Sequence, residues 1–474
     1  MRAFTESLEN PNVKLAGLGV AVSALLVATA NQVGPALTVT ALAAVTFFVA
    51  VVACYVAAPH VAVALTIPFF AFLPAAKALV NPAIGPAKDL VVLAAVAATA
   101  IRFLQRRESR SRQPGDRWAF LIVALLVGLY AANPGGRAGL LDFNPAWFHG
   151  VRLVSEPLLL LIVGFSLDNP RRTLRWALTS LVATGVVVAC TGVMQQVVGR
   201  EALVNLGYSY DYEVRSLGGR LRSFGPLDES FAYAAFLMFG SAAVLLWMRR
   251  GWAASIAAFV IGAGLLVSFV RGVVPVVVAL MGLWLVRNRN LPTAVLLLAA
   301  SFAAAVAFLI TAETRVPTRT VQAGPSTYLT LNERTSQWSL VLSDPAVWST
   351  GWGVGVAGTA AERAAFTIAR PDEPQSKALN SGYLATMADV GVLGLLLVLA
   401  LFGRLFVLAR RAIRQGSTAG WVAAGLLTVL AIDASVRDSL TGFPTAFLGL
   451  LLVGIALAAA NEDVAVQSKR VAGE

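Results

Sequence analysis

Apolar residues in this chain fall into long runs separated by short polar breaks. A helix needs roughly 20 mainly apolar residues to cross a bilayer. The pattern predicts such helices near 15–31, 36–57, 60–76, 88–104, 118–133, 152–167, 173–198, 229–248, 252–269, 272–287, 291–311, 381–403, 419–433 and 443–460. The break "AAPH" between the second and third runs is short, so the expected number of spans is 12 to 14. The expected fold is all-α: a polytopic membrane helix bundle with a large extracytoplasmic loop containing short interfacial helices. Residues 1–198 read as N-terminal transmembrane helices. Residues 199–460 read as a transmembrane core with outer loops 199–228 and 312–379, and residues 461–474 as a cytoplasmic tail. The larger loop contains "NERTSQWSLVLSDPAVWSTGWGVGVAG", whose apolar spacing predicts an amphipathic helix at the interface.

Composition agrees with a bilayer as solvent. The chain is 58% hydrophobic and 13% charged, with mean hydropathy +0.74. Soluble domains carry roughly 25% charged residues. The net charge of +12 has a topological reading, because Lys and Arg gather on the cytoplasmic side. With a cytoplasmic N-terminus, the inner segments hold 21 Lys and Arg and the short outer connections hold six. Every basic cluster, from "RFLQRRESRSRQPGDR" to "RLFVLARRAIR", then falls on one side. The start "MRAFTESLENPNVK" is polar, so no cleavable signal peptide is expected and the first span would serve as the anchor. Cys54 and Cys190 lie in apolar runs and are expected to be packing thiols rather than a disulfide.

Several chemistries lack their residues. There is no Gly-rich P-loop, no dinucleotide fingerprint and no serine nucleophile elbow. His60 and His149 stand far apart, and each is expected to be an interfacial or packing residue. No metal, cofactor or nucleic-acid partner is expected. Arginine on the outer face remains. Arg220 and Arg222 lie in "GGRLRSFGPLDES", Arg271 in "LLVSFVRGVVPVVVAL" and Arg334 in "NERTSQW". Three separate segments thus carry guanidinium groups to one membrane level. Arginine grips phosphate oxygens with a bidentate fork, so a membrane-embedded group with several negative charges fits this set. The competing reading for Arg271 is a side chain reaching to lipid headgroups.

At this point the chain resembles a known family. "RLRSFGPLDESFAYAAFL", "LLVSFVRGVVPVVVAL", "NERTSQWSLVLSDPAVWSTGWGVGV" and "LNSGYLATMADVGVLGLLLVLALFGRLF" stand in the order and spacing of the O-antigen ligase and polymerase family. The resemblance covers roughly residues 205–410; before them it rests mainly on span density and "GPAKDLVVL". It implies a metal-independent, inverting glycosyltransferase in the bacterial cytoplasmic membrane, with its site facing outside. The implied donor is a glycan on a polyprenyl diphosphate, and the implied acceptor is a hydroxyl of a glycan or glycolipid. Arg222 and Arg271 are then expected on the diphosphate, with Arg220 close behind and Arg334 on diphosphate or glycan. Ligases of the family place a histidine before the Tyr-Leu step; here Asn380 or Ser381 stands there, ahead of Tyr383. Asn380 and Tyr383 are expected to contact substrate. Asp228 and Glu229 are candidate bases beside the arginines, or else the cap and first-turn charge of the next helix. Asp389 reads as a packing residue or a polar helix contact rather than a catalytic group. A transporter or flippase of a phosphorylated lipid or polysaccharide is the main alternative, and a nonenzymatic envelope scaffold is a further one.

The topology yields a direct test. Ala360→Cys, in a background without Cys54 and Cys190, is expected to react with an impermeant thiol reagent in intact spheroplasts. Labelling only after permeabilisation would contradict the predicted orientation.

Overall fold

In the computed structural model the structure describes residues 35–105, 116–134, 145–208, 215–217, 220–248, 251–288, 338–339, 341–356, 379 and 381–471. The elements are α1 (Pro35–Ala57), α2 (Pro59–Leu79), a 3-10 turn (Pro82–Ile84), α3 (Ala87–Gln105), α4 (Arg117–Ala132), α5 (Pro145–Ser166) and α6 (Pro170–Val198). A short α7 (Arg200–Asn205) and the strands β1 (Arg215–Leu217) and β2 (Arg220–Arg222) follow. Then come α8 (Ser230–Leu246), α9 (Trp252–Val267), α10 (Val273–Asn288), α11 (Pro345–Ser349), α12 (Gly382–Arg414), α13 (Thr418–Val436) and α14 (Thr445–Val471). Among the described residues, seven helical segments are long and apolar enough to cross a membrane, namely α2, α3, α5, α6, α12, α13 and α14. Shorter apolar stretches are Ala41–Ala57 within α1, and α4, α8, α9 and α10. The chain is a multi-pass membrane protein.

Twelve of the expected runs coincide with helices, including the division at Ala58, where φ −142° and ψ 70° separate α1 from α2. The runs 15–31 and 291–311 lie outside the described residues. Three segments show more detail than the apolar pattern gave. The 199–228 segment is not simply a loop between helices: it holds α7 and an antiparallel ribbon, in which Arg215 pairs with Arg222. The expected tail 461–474 instead continues α14 to Val471. The described part of the 312–379 loop holds the five-residue α11, which packs on α12.

Bundle packing relies on small residues, because lipid gives helices no hydrophobic reason to associate. The backbones of α5 and α14 nearly touch: a Cβ on Gly164 would lie 2.5 Å from the Leu451 carbonyl oxygen. α8 runs through the interior, with Tyr233, Phe236 and Phe239 almost fully buried. The Tyr233 ring fills the space left by Gly192, Gly225 and Gly264. Of the two cysteines, both free, Cys190 faces the surface rather than the packed interior.

One end of the bundle gathers ion pairs of the basic clusters. Arg102 meets Asp168 at 3.1 Å, and Arg171 meets Asp463 at 2.6 Å. Arg404 grips both oxygens of Asp116, which also caps α4 by accepting from the Ala119 amide at 2.9 Å. Burial pushes the Asp116 carboxyl up, but the Arg404 guanidinium and the Ala119 amide outweigh burial and hold it below the usual carboxylate range.

At the opposite end α12 is broken. Val390 (φ −137°, ψ 17°) and Gly391 (φ 76°, ψ −175°) leave the helical region. The freed carbonyls find partners in other segments. Ala388 O accepts from Trp352 N at 2.6 Å, and Asn133 Nδ2 reaches both Asp389 O and Thr350 O at 2.7 Å. The glycine-rich "TGWGVG" loop after α11 lies directly on the break. A Cβ on Gly391 would sit 2.1 Å from Ser349 O. Asp344 holds the other side of this loop, accepting from Ala346 N at 2.9 Å and from Trp352 Nε1 at 2.7 Å.

Gly391→Ala is therefore expected to destabilise the protein by roughly 1–3 kcal/mol, from positive-φ strain and backbone overlap. Gly403→Ala, in the same helix with nothing within 4 Å of the added methyl, is expected to be neutral or slightly stabilising. Thermal unfolding in detergent compares the two; equal melting shifts would contradict the docked loop.

Candidate functional site

The arginine-bearing segments meet at the end of the bundle that holds the α12 break. The chain leaves β2 through Ser223–Leu227, a turn buried among helices. A buried turn needs partners for its main-chain groups, and α6 supplies them. Gln195 Oε1 accepts from Phe224 N at 3.0 Å and Gly225 N at 2.9 Å, while its Nε2 donates to Gly225 O at 2.8 Å. Gln196 Nε2 donates to Leu221 O at 2.8 Å and Ser223 Oγ at 2.7 Å. Ser223 N donates to Val267 O, at the end of α9, at 3.0 Å. This bond ties the Arg222 ribbon to the turn that carries Arg271.

Arg222 is half-buried, its guanidinium carbon 4.8 Å from the centre of the Phe231 ring. Stacking of this kind fixes a guanidinium plane while leaving its edge for oxygen ligands. Arg220 is exposed. In the second turn, Phe269 takes φ 51°, and Ser268 Oγ accepts from Val270 N at 3.2 Å. Arg271 is exposed, and its carbonyl accepts from Val274 N at 3.2 Å. The adjacent Gly272 packs on Val436, where a Cβ would lie 3.0 Å from the valine methyl. The Arg271 turn therefore abuts the end of α13.

That end of α13 carries an arginine the sequence analysis treated only as a connection. Arg437 is 7% exposed. Its Nε donates to Asp433 Oδ2 at 2.6 Å, Nη2 to Thr445 Oγ1 at 2.6 Å and Nη1 to Glu229 Oε1 at 3.3 Å. Glu229, expected as a base or a helix cap, makes no side-chain cap bond and pairs with Arg437 instead. Asp228 is half-buried next to it. Tyr383 was expected to contact substrate. Its hydroxyl donates to Ala431 O at 3.0 Å and so ties α12 to α13. Arg334 and Asn380 lie outside the described residues.

A second buried ionic group lies between α3 and α5. Lys88 contacts Asp89 and reaches Glu156 Oε2 at 3.0 Å; Arg152 Nη1 reaches Asp89 Oδ2 at 3.0 Å. The Lys88 ammonium also sits 4.9 Å from the Phe447 ring centre. Two cations face two anions, so this quartet balances itself. Arg220 and Arg271 make no ion pair among the described residues. Beside the α12 break lies a small, largely apolar crevice of about 30 Å³; Tyr130, Thr386 and Thr441 are the polar residues among its lining.

Sequence signals for the missed residues existed. Asp433 and Arg437, like Arg152 and Glu156, stand four apart at a span end, the spacing of helical ion pairs. Gln195 and Gln196 are consecutive carboxamides ending an apolar run. No protein-family model matches the chain. No curated protein matches it either.

Removing one member of a buried charge cluster leaves the others unpaired, at roughly 3–5 kcal/mol. Arg437→Ala is expected to lower thermal stability on that scale. The double variant Arg437→Met with Asp433→Asn should recover part of the loss, since it leaves fewer unpaired charges. A single variant that melts like the parent protein would contradict the buried cluster.

Proposed function

We infer that the chain is a membrane glycosyltransferase whose donor is a glycan on a polyprenyl diphosphate, working at the outer face of the bacterial cytoplasmic membrane. The observation that carries this reading is the bond from Ser223 N to Val267 O. It ties two arginine-bearing segments, distant in sequence, into one unit at one end of the bundle. The motif order resembling the O-antigen ligase and polymerase family supports the same donor, whether the product is an extended polymer or a final attachment. In the reaction, an acceptor hydroxyl of a glycan or glycolipid attacks the anomeric carbon and its proton passes to the departing diphosphate or to water. The carbon–oxygen bond to the diphosphate breaks, and polyprenyl diphosphate leaves with the electron pair. Charge grows on the leaving oxygens as that bond stretches, and preorganised guanidiniums stabilise growing charge without a metal. Arg222, held by Phe231, and Arg271, on its turn, are assigned to those oxygens, with Arg220 at the rim.

A second reading is favoured by one observation. The break in α12 at Val390 and Gly391, beside the buried Asp389, is the kind of discontinuous helix that transporters use. A flippase of a phosphorylated lipid would draw on the same arginines for its headgroup.

Purified protein given a synthetic polyprenyl diphosphate glycan donor and EDTA is expected to transfer glycan. Arg271→Lys keeps the charge and loses the planar fork. It is expected to lower turnover by roughly 10²–10³-fold at matched membrane abundance, the usual cost of losing one such donor. Near-normal transfer by the lysine variant would reject the leaving-group role. Translocation of the intact donor across proteoliposomes without transfer would establish the transport reading instead.

A further inference from the structure

Asp389 stands in α12 immediately before the break at Val390 and Gly391 and is 5% exposed. Its main-chain carbonyl is taken by Asn133, and the amide of Gly355 in the glycine loop donates to its carboxyl group. The carboxyl oxygen Oδ1 has no hydrogen-bond partner. An ionised carboxylate with an unpartnered oxygen inside an apolar bundle costs several kcal/mol.

The titratable and charged groups packed around it, among the described residues, offer no compensation. From α4 comes the neutral phenol of Tyr130. From the turn between α13 and α14 comes Asp438, which adds a like charge. The adjacent Arg437 directs its guanidinium to Asp433, Glu229 and Thr445. The glycine loop contributes main-chain amides and no charge within 351–356. A second observation marks the place as a site. Thr441 Oγ1, on the same turn as Asp438, is also buried without a partner, and Thr441 lines the crevice together with Tyr130 and Thr386. Thr386 lies three residues before Asp389, on the same helix face.

We propose that Asp389 is a proton-binding site of the transmembrane core, neutral while the glycine loop is docked on the break in α12. Losing the proton places a second negative charge beside Asp438 beneath the loop. That charge has no counterion there among the described residues, so deprotonation favours release of the loop. Tyr130, Thr386 and Thr441 supply hydroxyls between the carboxyl and the crevice, along which a proton can be handed on. This inference goes beyond the glycosyl-transfer reading and stands or falls without it, because the ligand is the proton itself.

Infrared spectroscopy of the purified protein in lipid nanodiscs at neutral pH tests it. The expected result is a protonated-carboxyl C=O band that shifts in D₂O and is lost in Asp389→Asn. Identical carboxyl bands in the parent protein and Asp389→Asn would overturn the proposal. Where Asp389→Asn is not recovered folded, Asp389→Glu decides: a band moved in frequency supports the site, and an unmoved band overturns it. Hydrogen exchange supplies the second readout. After correction for intrinsic rates, amides 351–356 are expected to open as pH rises in the parent protein and to stay protected in Asp389→Asn. A pH response that is the same in both would remove the link between the proton and the loop.

Discussion

A main chain that turns inside an apolar bundle must find its hydrogen-bond partners there, since lipid offers none. At one end of this molecule, carboxamide side chains meet that need. Gln195 satisfies three main-chain groups of the Phe224–Gly225 turn. Asn133 holds two carbonyls across the break in α12 and the glycine loop. Without Gln195 the Ser223–Leu227 turn could not stay buried, and Ser223 would lose its register with Val267. The relative placement of Arg222 and Arg271 thus depends on neutral amides that never touch a ligand. Preorganisation of this sort is what makes a charged donor effective, because nothing has to reorganise as charge develops.

Charge follows the same logic. Cations inside the bundle meet acidic partners: Arg437 meets Asp433 and Glu229, and Lys88 and Arg152 meet Asp89 and Glu156. These clusters bind α8 to α13 and α3 to α5. The exposed Arg220 and Arg271 sit outside that balance. On the proposed reading, that exposed charge is what would meet the diphosphate of the donor.

The helices were legible in the sequence because a span is a local property. An apolar run near 20 residues declares itself, and even the division at Ala58 followed from Pro59. The ribbon carrying Arg220 and Arg222 was not legible. Its strands are three residues each, and their pairing gives no periodic signal. The continuation of α14 through "NEDVAVQSKR" was hidden by its charges, which read as a tail, but Asp463 among them pairs with Arg171 and Ser417 in the structure. The break in α12 left a trace in Gly391 but no statement of what docks there. The partner, "TGWGVG", lies some forty residues earlier in the chain. Arg437 was visible as a charge and invisible as a buried one, because burial depends on Glu229 and Thr445 from other helices.

The account rests on Arg222 and Arg271 sharing one phosphorylated ligand. The most direct measurement is a structure of the protein with a polyprenyl diphosphate glycan bound. It is predicted to show diphosphate oxygens within hydrogen-bond distance of both guanidiniums, on the side of the bundle bounded by Phe231 and Val436. A diphosphate bound elsewhere, with the two side chains turned to separate faces of the bundle, would contradict it.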